Sequence, residues 1–115
     1  MATITATSMQ GSGQRTVTET VLGASDTFTY NETANPILVL RNGTGGALTV
    51  TIDGAGGTTI PVDGIGDVSV SAGYSTGSIA AGVLKMIPLK TIRHFLQGAI
   101  AVTGGTGISA SLLEF

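Results

Sequence analysis

The sequence has no cysteine and no tryptophan, and only 10% of its residues are charged. Without cysteine, neither a disulfide framework nor a thiolate metal site can form. The 115 residues fit one domain, and a domain of this size can build a core without such cross-links. An ordinary soluble domain is roughly 25% charged, and a surface with much less charge tends to associate with other protein. The composition therefore favours one domain whose surface is partly covered by other protein subunits. The alternative is a secreted-type β domain with a surface rich in serine and threonine.

Several classes of function need features of which this sequence has little. No apolar run reaches the ~18 residues of a membrane span, and the opening residues Met1–Ala6 have neither the basic nor the apolar part of a signal peptide. The net charge is −2 and aromatic residues make up 4%, so both the basic surface and the stacking rings of a nucleic-acid-binding protein are missing. We therefore expect a protein that is made in the cytoplasm and binds neither membrane nor nucleic acid.

Catalytic and metal-binding motifs are also scarce. His94 is the only histidine, and no serine lies in a G-x-S-x-G elbow. The glycine-rich stretches match neither the dinucleotide-binding nor the phosphate-binding pattern, and no calcium loop of the EF-hand type is present. Asp53, Asp63 and Asp67 leave calcium open as an alternative, although Asp53 and Asp63 each precede a glycine, as is typical of turns. We expect no enzyme activity, no cofactor, no metal and no small-molecule substrate.

Glycine and threonine are abundant, with 18 residues of each. Polar and apolar residues alternate in the segments 27–30, 48–52, 68–72 and 108–112, which is the pattern of half-buried strands. The segment 37–40 is apolar at every position, and this predicts a central strand covered on both faces. The patterns predict eight or nine short strands in all. The predicted strands cover residues 16–22, 26–30, 37–41, 48–52, 58–62, 67–72, 83–88, 98–103 and 107–113.

Glycine-rich stretches separate the predicted strands. The Asn-Gly or Asp-Gly dipeptides at 42–43, 53–54 and 63–64 supply the positive φ angles that hairpin turns need. They predict a β-meander from residue 37 to residue 72. Short strands at this spacing are typical of sandwiches and jelly rolls. We therefore predict an all-β fold, a single jelly-roll-like β-sandwich.

Two segments depart from the strand pattern. Apolar residues at 89, 92, 95 and 96 have helical spacing, so we predict a short helical turn near residues 89–96 that begins at Pro88; the alternative is a bulged strand. Residues 1–15 form a predicted N-terminal arm, because their glycine- and serine-rich part has little to bury. The β-sandwich domain is then residues 16–115. The arm either adds to a partner's sheet or pairs with the chain's own sheet.

The candidate contacts with another protein come from two regions. One is the arm, because an extended segment can add a strand to a neighbouring sheet through backbone hydrogen bonds. The other is a basic cluster on an acidic chain, which is either a solvated patch or a docking site for an acidic surface. The candidate residues are Thr3, Ile4, Thr5 and Arg15 in the arm, and Lys85, Lys90, Arg93 and His94 in the basic cluster.

Residues 35–115 resemble a group of small decoration (cement) proteins of tailed-bacteriophage capsids. The resemblance covers about 70% of the chain. It is carried by five motifs, none of which is a catalytic signature. The motifs are NPILVLRNGTGG at 35–46, TIDG at 51–54, VSAGY at 70–74, IPL at 87–89 and VTGGTG at 102–107.

The resemblance implies a jelly-roll-like structural protein of the virion. Such a protein is synthesised in the host cytoplasm, sits on the capsid surface at symmetry axes and clamps neighbouring subunits of the major capsid protein. A hydrophobic content of 42% with so little charge also predicts a homo-oligomer, either a dimer or a trimer. The rival interpretations are a base domain of a tail or head fibre, and a carbohydrate-binding sandwich with Tyr30 and Tyr74 as its platforms.

Overall fold

The structure, a computed structural model, describes residues 3–11, 13–56 and 59–115. Within these residues the chain forms eleven strands and two short 3₁₀ helices. The strands are β1 (Ala6–Ser8), β2 (Thr20–Val21), β3 (Ser25–Asp26), β4 (Pro36–Arg41), β5 (Leu48–Gly54), β6 (Thr59–Val62), β7 (Gly66–Ser69), β8 (Tyr74–Ile79), β9 (Leu84–Pro88), β10 (Ile100–Thr103) and β11 (Ser109–Glu114). The 3₁₀ helices are Glu32–Ala34 and Leu89–Phe95. The predicted all-β class is therefore confirmed.

Nine of the eleven strands build two sheets that share one core. In the first sheet the order is β1-β11-β4-β9, with β2 beside β1 on the same edge of β11; in the second it is β3-β10-β5-β8. If β2, β3, β4, β5, β8, β9, β10 and β11 are counted from one to eight, the sheets have the orders 1-8-3-6 and 2-7-4-5. This is the strand order of a jelly roll, and the β6–β7 hairpin is an insertion between its fourth and fifth strands. The predicted jelly-roll-like sandwich is therefore confirmed.

The core lies between the two sheets because alternate side chains of each strand point inward. Val50 and Ile52 of β5, and Ala110 and Leu112 of β11, are all fully or almost fully buried. The same cluster contains Ile4, Leu22, Phe28, Leu38, Leu40, Ile79, Ile87, Leu89, Ile92, Leu96, Ile100, Val102 and Ile108. The inward faces of β5 and β11 are thus those that the alternating sequence predicts.

The N-terminal segment closes one edge of the sandwich. The Ile4 N–H donates to the Thr27 carbonyl, just beyond β3 of the second sheet (2.8 Å). A few residues later β1 runs parallel to β11 of the first sheet, with Ala6 opposite Leu112. Between these contacts the Ile4 side chain enters the core. Of the two expectations for the arm, the structure therefore has the one in which it pairs with the chain's own sheet.

The predicted β-meander from residue 37 to residue 72 is wrong. β4 and β5 lie in different sheets, and within this stretch only β6 and β7 pair as consecutive strands. After β4 the chain crosses to the other sheet through a loop held by the buried side chain of Asn42. Its Nδ2 donates to the carbonyls of Gly46 (2.9 Å) and Ile79 (2.7 Å). The asparagine therefore organises a crossover loop instead of a hairpin turn.

Two strand predictions differ from the observed boundaries, and one observed strand was not predicted. The predicted strand over 16–22 is regular only at Thr20–Val21, and that over 26–30 only as Ser25–Asp26. Strand β8 (Tyr74–Ile79) has no counterpart in the prediction, because its middle is a run of small polar residues without alternation. It forms because β5 offers it a long edge, with Leu48 opposite Ile79.

The predicted helical turn near residues 89–96 is confirmed as the 3₁₀ helix Leu89–Phe95. Leu89 and Ile92 are buried, as is Leu96 just beyond the end of the helix. Pro88 occupies the position just before the first turn, at the end of β9, and the helix packs against β4, β5 and β9. It covers one end of the core with its apolar side and leaves its charged side chains exposed.

Candidate protein-binding surfaces

The outward faces of the two sheets differ in chemistry. On the second sheet, the outward positions alternate with core residues such as Val50, Ile52 and Val102. They are Ser25, Thr49, Thr51, Asp53, Ser75, Ser78, Ala101 and Thr103. We call this surface the hydroxyl face. Water satisfies hydroxyl groups, so this face needs no covering by protein.

The outward face of the first sheet is largely apolar, and we call it the apolar face. It consists of Thr7, Val21, Ile37, Val39, Arg41, Leu84, Met86, Pro88, Ser109, Ser111 and Leu113. Seven of these eleven residues are apolar, whereas one of eight is apolar on the hydroxyl face. In the central strand β4, Ile37 and Val39 point outward and are only half-buried. The prediction that residues 37–40 are covered on both faces is therefore wrong for the single chain.

Three side chains of the apolar face are more than half exposed, namely Val21 (65%), Leu84 (53%) and Met86 (54%). The only charged residue of the face, Arg41, forms an ion pair with Glu19 just before β2 (2.9 Å). Exposed apolar patches rimmed by polar residues are typical of interaction sites. Sequence reasoning missed these three residues. The signal that could have found their surface is segment 37–40, whose second apolar face needs a cover.

The β6–β7 hairpin forms a second distinctive surface, which we call the finger (residues 59–69). Among the residues that the structure describes, its strands pair only with each other. The Ile65 N–H donates to the Val62 carbonyl across the turn (3.0 Å), and Gly64 has a φ of 81° at the turn position that favours glycine. The tight turn leaves Ile65 at the tip, 74% exposed. A large apolar side chain at an exposed tip is suited to anchor in a partner's groove.

The structure divides the predicted basic cluster. Lys90, Arg93 and His94 lie on the 3₁₀ helix after β9 and are all exposed; we call them the basic segment. Lys85 is also exposed but lies within β9, opposite Leu40, closer to the other end of the sandwich. Three of the four predicted residues therefore share one surface.

The finger and the basic segment lie at the same end of the sandwich, which we call the docking end. The N–H groups of Ala55 and Gly56, just before the finger, donate to the carbonyls of Ala99 (2.7 Å) and Gln97 (2.8 Å), just after the basic segment. A Cβ atom on Gly54 would clash with the backbone of Gln97, so this close approach requires glycine. The chain that leads into the finger is thus held against the residues that follow the basic segment.

The arm residues are in different environments. Ile4 is buried in the core, whereas Thr3 and Thr5 on either side of it are exposed. Arg15 is exposed in the stretch that follows β1, where its guanidinium donates to the Gln10 carbonyl and closes the loop. The arm already pairs with the chain's own sheet, so we do not include it among the docking surfaces.

The side chains that could carry chemistry do not converge. Asp53 lies on β5, whereas Asp63 and Asp67 lie on the finger. In residues 3–11, 13–56 and 59–115, no group of three histidine, aspartate or glutamate side chains could hold a metal ion. The structure therefore does not assemble the three carboxylates that left calcium open as an alternative.

Two pockets flank the segment 27–31. One of about 310 Å³ lies between the N-terminal segment and β11, and its only ionisable side chain is Glu114. The other, of about 370 Å³, lies between residues 27–30 and 96–100, and its only ionisable side chain is Tyr30. Acid–base catalysis needs cooperating groups within hydrogen-bonding reach, and neither pocket brings two ionisable groups together.

Neither tyrosine forms an exposed platform. Tyr30 and Tyr74 are both half-buried against the core. The ring of Tyr74 packs on Phe95, with 5.9 Å between centroids, and the Tyr30 hydroxyl is buried without a hydrogen-bond partner. The aromatic platforms that a carbohydrate-binding sandwich requires are therefore not found at these two positions.

The Tyr30 phenol predicts that the stability of the fold depends on pH in the alkaline range. Burial raises the pKa of the phenol above its ordinary value of 10.0, repulsion from the Glu32 carboxylate raises this pKa further, and Arg93 opposes both. In the unfolded chain the phenol keeps its ordinary pKa, so as the pH rises the unfolded chain loses its phenolic proton before the folded chain does. The contribution of the neutral phenol to the free energy of unfolding is therefore complete below about pH 10 and is lost as the pH rises through the folded-state pKa.

We expect Tyr30→Phe to raise the free energy of unfolding at pH 7 by about 1 kcal/mol, because it removes a buried hydroxyl that makes no hydrogen bond. The variant should also lose less stability than the wild type above about pH 10. Urea unfolding at both pH values measures this, with Tyr74→Phe as the control, expected within about 0.5 kcal/mol of the wild type. A destabilised Tyr30→Phe protein would mean that the hydroxyl is hydrogen-bonded.

No protein-family model, curated protein or solved structure matches the chain. No helix among the described residues is long and apolar enough to cross a membrane. The class of protein that the fold defines is a jelly-roll β-sandwich, and the outward face of one of its sheets is largely apolar.

Proposed function

We propose that the chain is a structural virion protein that binds the outside of a tailed-phage capsid and stabilises contacts between major capsid subunits. The observation that carries this proposal is the finger, a hairpin inserted into the jelly roll with Ile65 exposed at its tip. An isolated two-stranded hairpin is only marginally stable in water. Binding in a groove between capsid subunits would cover its apolar tip and hold its two strands in place.

The composition of the docking end supports the same function. The basic segment lies on the helix whose following residues, Gln97 and Ala99, bond to the chain just before the finger, and positive charge speeds docking on an acidic shell. A symmetric shell offers many equivalent sites, so contacts that are weak individually become strong when several are made at once. A small domain with one short docking end is suited to such repeated attachment.

Ile65→Ser tests the finger. We expect this variant to bind purified, DNA-filled heads of the phage that encodes the chain at least about tenfold more weakly, because the apolar anchor is lost. Its free energy of unfolding should stay within about 0.5 kcal/mol of the wild type, because the side chain is exposed. Co-sedimentation of the recombinant protein with heads measures the binding.

Val17→Ser is the matched control, since it shortens an exposed β-branched side chain that belongs to neither the finger nor the apolar face. Equal binding by Ile65→Ser and the wild type would remove the finger from the attachment site. Heads purified without tails should contain the chain in stoichiometric amounts. Its absence from heads and presence in tails would favour the rival function as the base domain of a tail fibre.

A further inference from the structure

We infer that the apolar face binds the same face of a second copy of this chain and forms a two-fold dimer. The inference concerns the protein in solution, so it does not rest on the proposed binding to a capsid. It begins from β4, which has the sequence of a strand between two layers, although its outward side chains Ile37 and Val39 are only half-buried.

The geometry of a sheet face suits an identical partner. Two sheets pack face to face about 10 Å apart, with the side chains of each filling the spaces of the other. Ile37, Val39 and Leu113 form the middle of the apolar face, while Val21 and Met86 lie towards its two edges. A two-fold axis through the interface makes such a face self-complementary. The outer side of β4 would then be covered as its sequence predicts.

The charge distribution also favours a second copy. The apolar face contains one charged residue, Arg41, and its pairing with Glu19 neutralises it. The face therefore has no net charge with which to select an acidic or a basic partner. Two identical faces therefore meet without like-charge repulsion.

The area indicates a dimer of moderate strength. Four strands about 4.8 Å apart and six residues long give a flat face of roughly 19 by 20 Å, or about 400 Å². The extra area of protruding side chains is not counted in this figure. Two faces remove about 800 Å², below the roughly 1,200 Å² at which stable complexes begin. We therefore expect a dissociation constant in the micromolar range, about 1 to 100 µM, and a dimer that presents two fingers.

The experiment is sedimentation velocity of the full chain over about 1 µM to 1 mM, a range that spans this dissociation constant. We expect a monomer–dimer equilibrium in the wild type. Met86→Lys, on the apolar face, should weaken dimerisation at least tenfold, because a two-fold axis places the new charge in the interface twice. Ser78→Lys adds the same charge to β8 of the hydroxyl face and should dimerise like the wild type. Circular dichroism checks that both variants are folded.

The outcomes separate the possibilities. A wild-type monomer at every concentration, a trimer, or a dimer that Met86→Lys leaves intact would each overturn the inference. A monomer whose binding to heads is lost in Met86→Lys would place the shell on the apolar face instead of a second copy. Loss of head binding in Ile65→Ser with dimerisation unchanged would support both proposals, while failure of the wild type and of every variant to bind heads would count against the capsid function alone.

Discussion

Replacing Asn42 by alanine is expected to lower the free energy of unfolding by about 4 kcal/mol, because each buried group left without a partner costs about 1–3 kcal/mol. The Asn42 side chain is fully buried. Its Nδ2 donates to the carbonyls of Gly46 and Ile79, and its Oδ1 accepts from the N–H (3.0 Å) and hydroxyl (2.6 Å) of Thr44. All four hydrogen-bonding positions of the amide are therefore used. Alanine would leave the Ile79 carbonyl without this partner inside the sandwich.

Urea unfolding of three proteins tests this expectation. Thr44→Ala removes one of the four bonds, the one from the hydroxyl. It keeps the bond from the backbone N–H of residue 44 and leaves the buried carbonyls of Ile79 and Gly46 paired, so it should cost only about 1 kcal/mol. The difference in free energy of unfolding between the two variants measures what the buried Asn42 amide contributes beyond its bond with the Thr44 hydroxyl. An Asn42→Ala protein less than 1 kcal/mol below the wild type would show that the loop rearranges to satisfy these carbonyls.

Asn42 also explains why strand content was predictable from the sequence but strand pairing was not. Alternation in β5 and β11 reports directly which side of each strand meets the core, because successive side chains point to opposite faces. The Asn-Gly dipeptide after β4 is equally compatible with a tight hairpin and with a crossover loop. What decides between them is the burial of the Asn42 amide against Ile79, thirty-seven positions away. Local sequence does not contain that contact.

The binding surfaces were predictable only in part for a related reason. A helical spacing of apolar residues places Lys90, Arg93 and His94 on the exposed side of one short helix, and the structure has them there. Lys85 is close to them in sequence but lies on a strand, so the cluster divides. Val21, Leu84 and Met86 are unremarkable in sequence, and they become one surface only because β2, β11, β4 and β9 are neighbours in the sheet.

Deleting residues 1–8 is expected to have the largest effect on stability, a loss of about 5 kcal/mol. Truncating a buried isoleucine to alanine typically costs 2–5 kcal/mol, and each lost backbone hydrogen bond adds about 1 kcal/mol. The Ile4 side chain is 2% exposed, and the segment bonds both to Thr27 and, through β1, to β11. A domain at the lower end of the typical range of about 5–15 kcal/mol would then be close to unfolding at room temperature.

A graded series of variants separates the contribution of the Ile4 side chain to stability from that of strand β1. Ile4→Val should cost about 1 kcal/mol and Ile4→Ala about 3 kcal/mol, whereas Thr5→Ala, at the exposed neighbouring position, should stay within about 0.5 kcal/mol of the wild type. The deletion should exceed Ile4→Ala by the contribution of the β1 ladder. If the truncated chain unfolds at the same urea concentration as the wild type, the segment does not contribute to the fold in solution, and the alternative in which it adds to a partner's sheet is supported. If stability falls in the predicted order, a truncated protein that fails to bind heads says nothing about attachment, because the fold that carries the docking end is itself weakened.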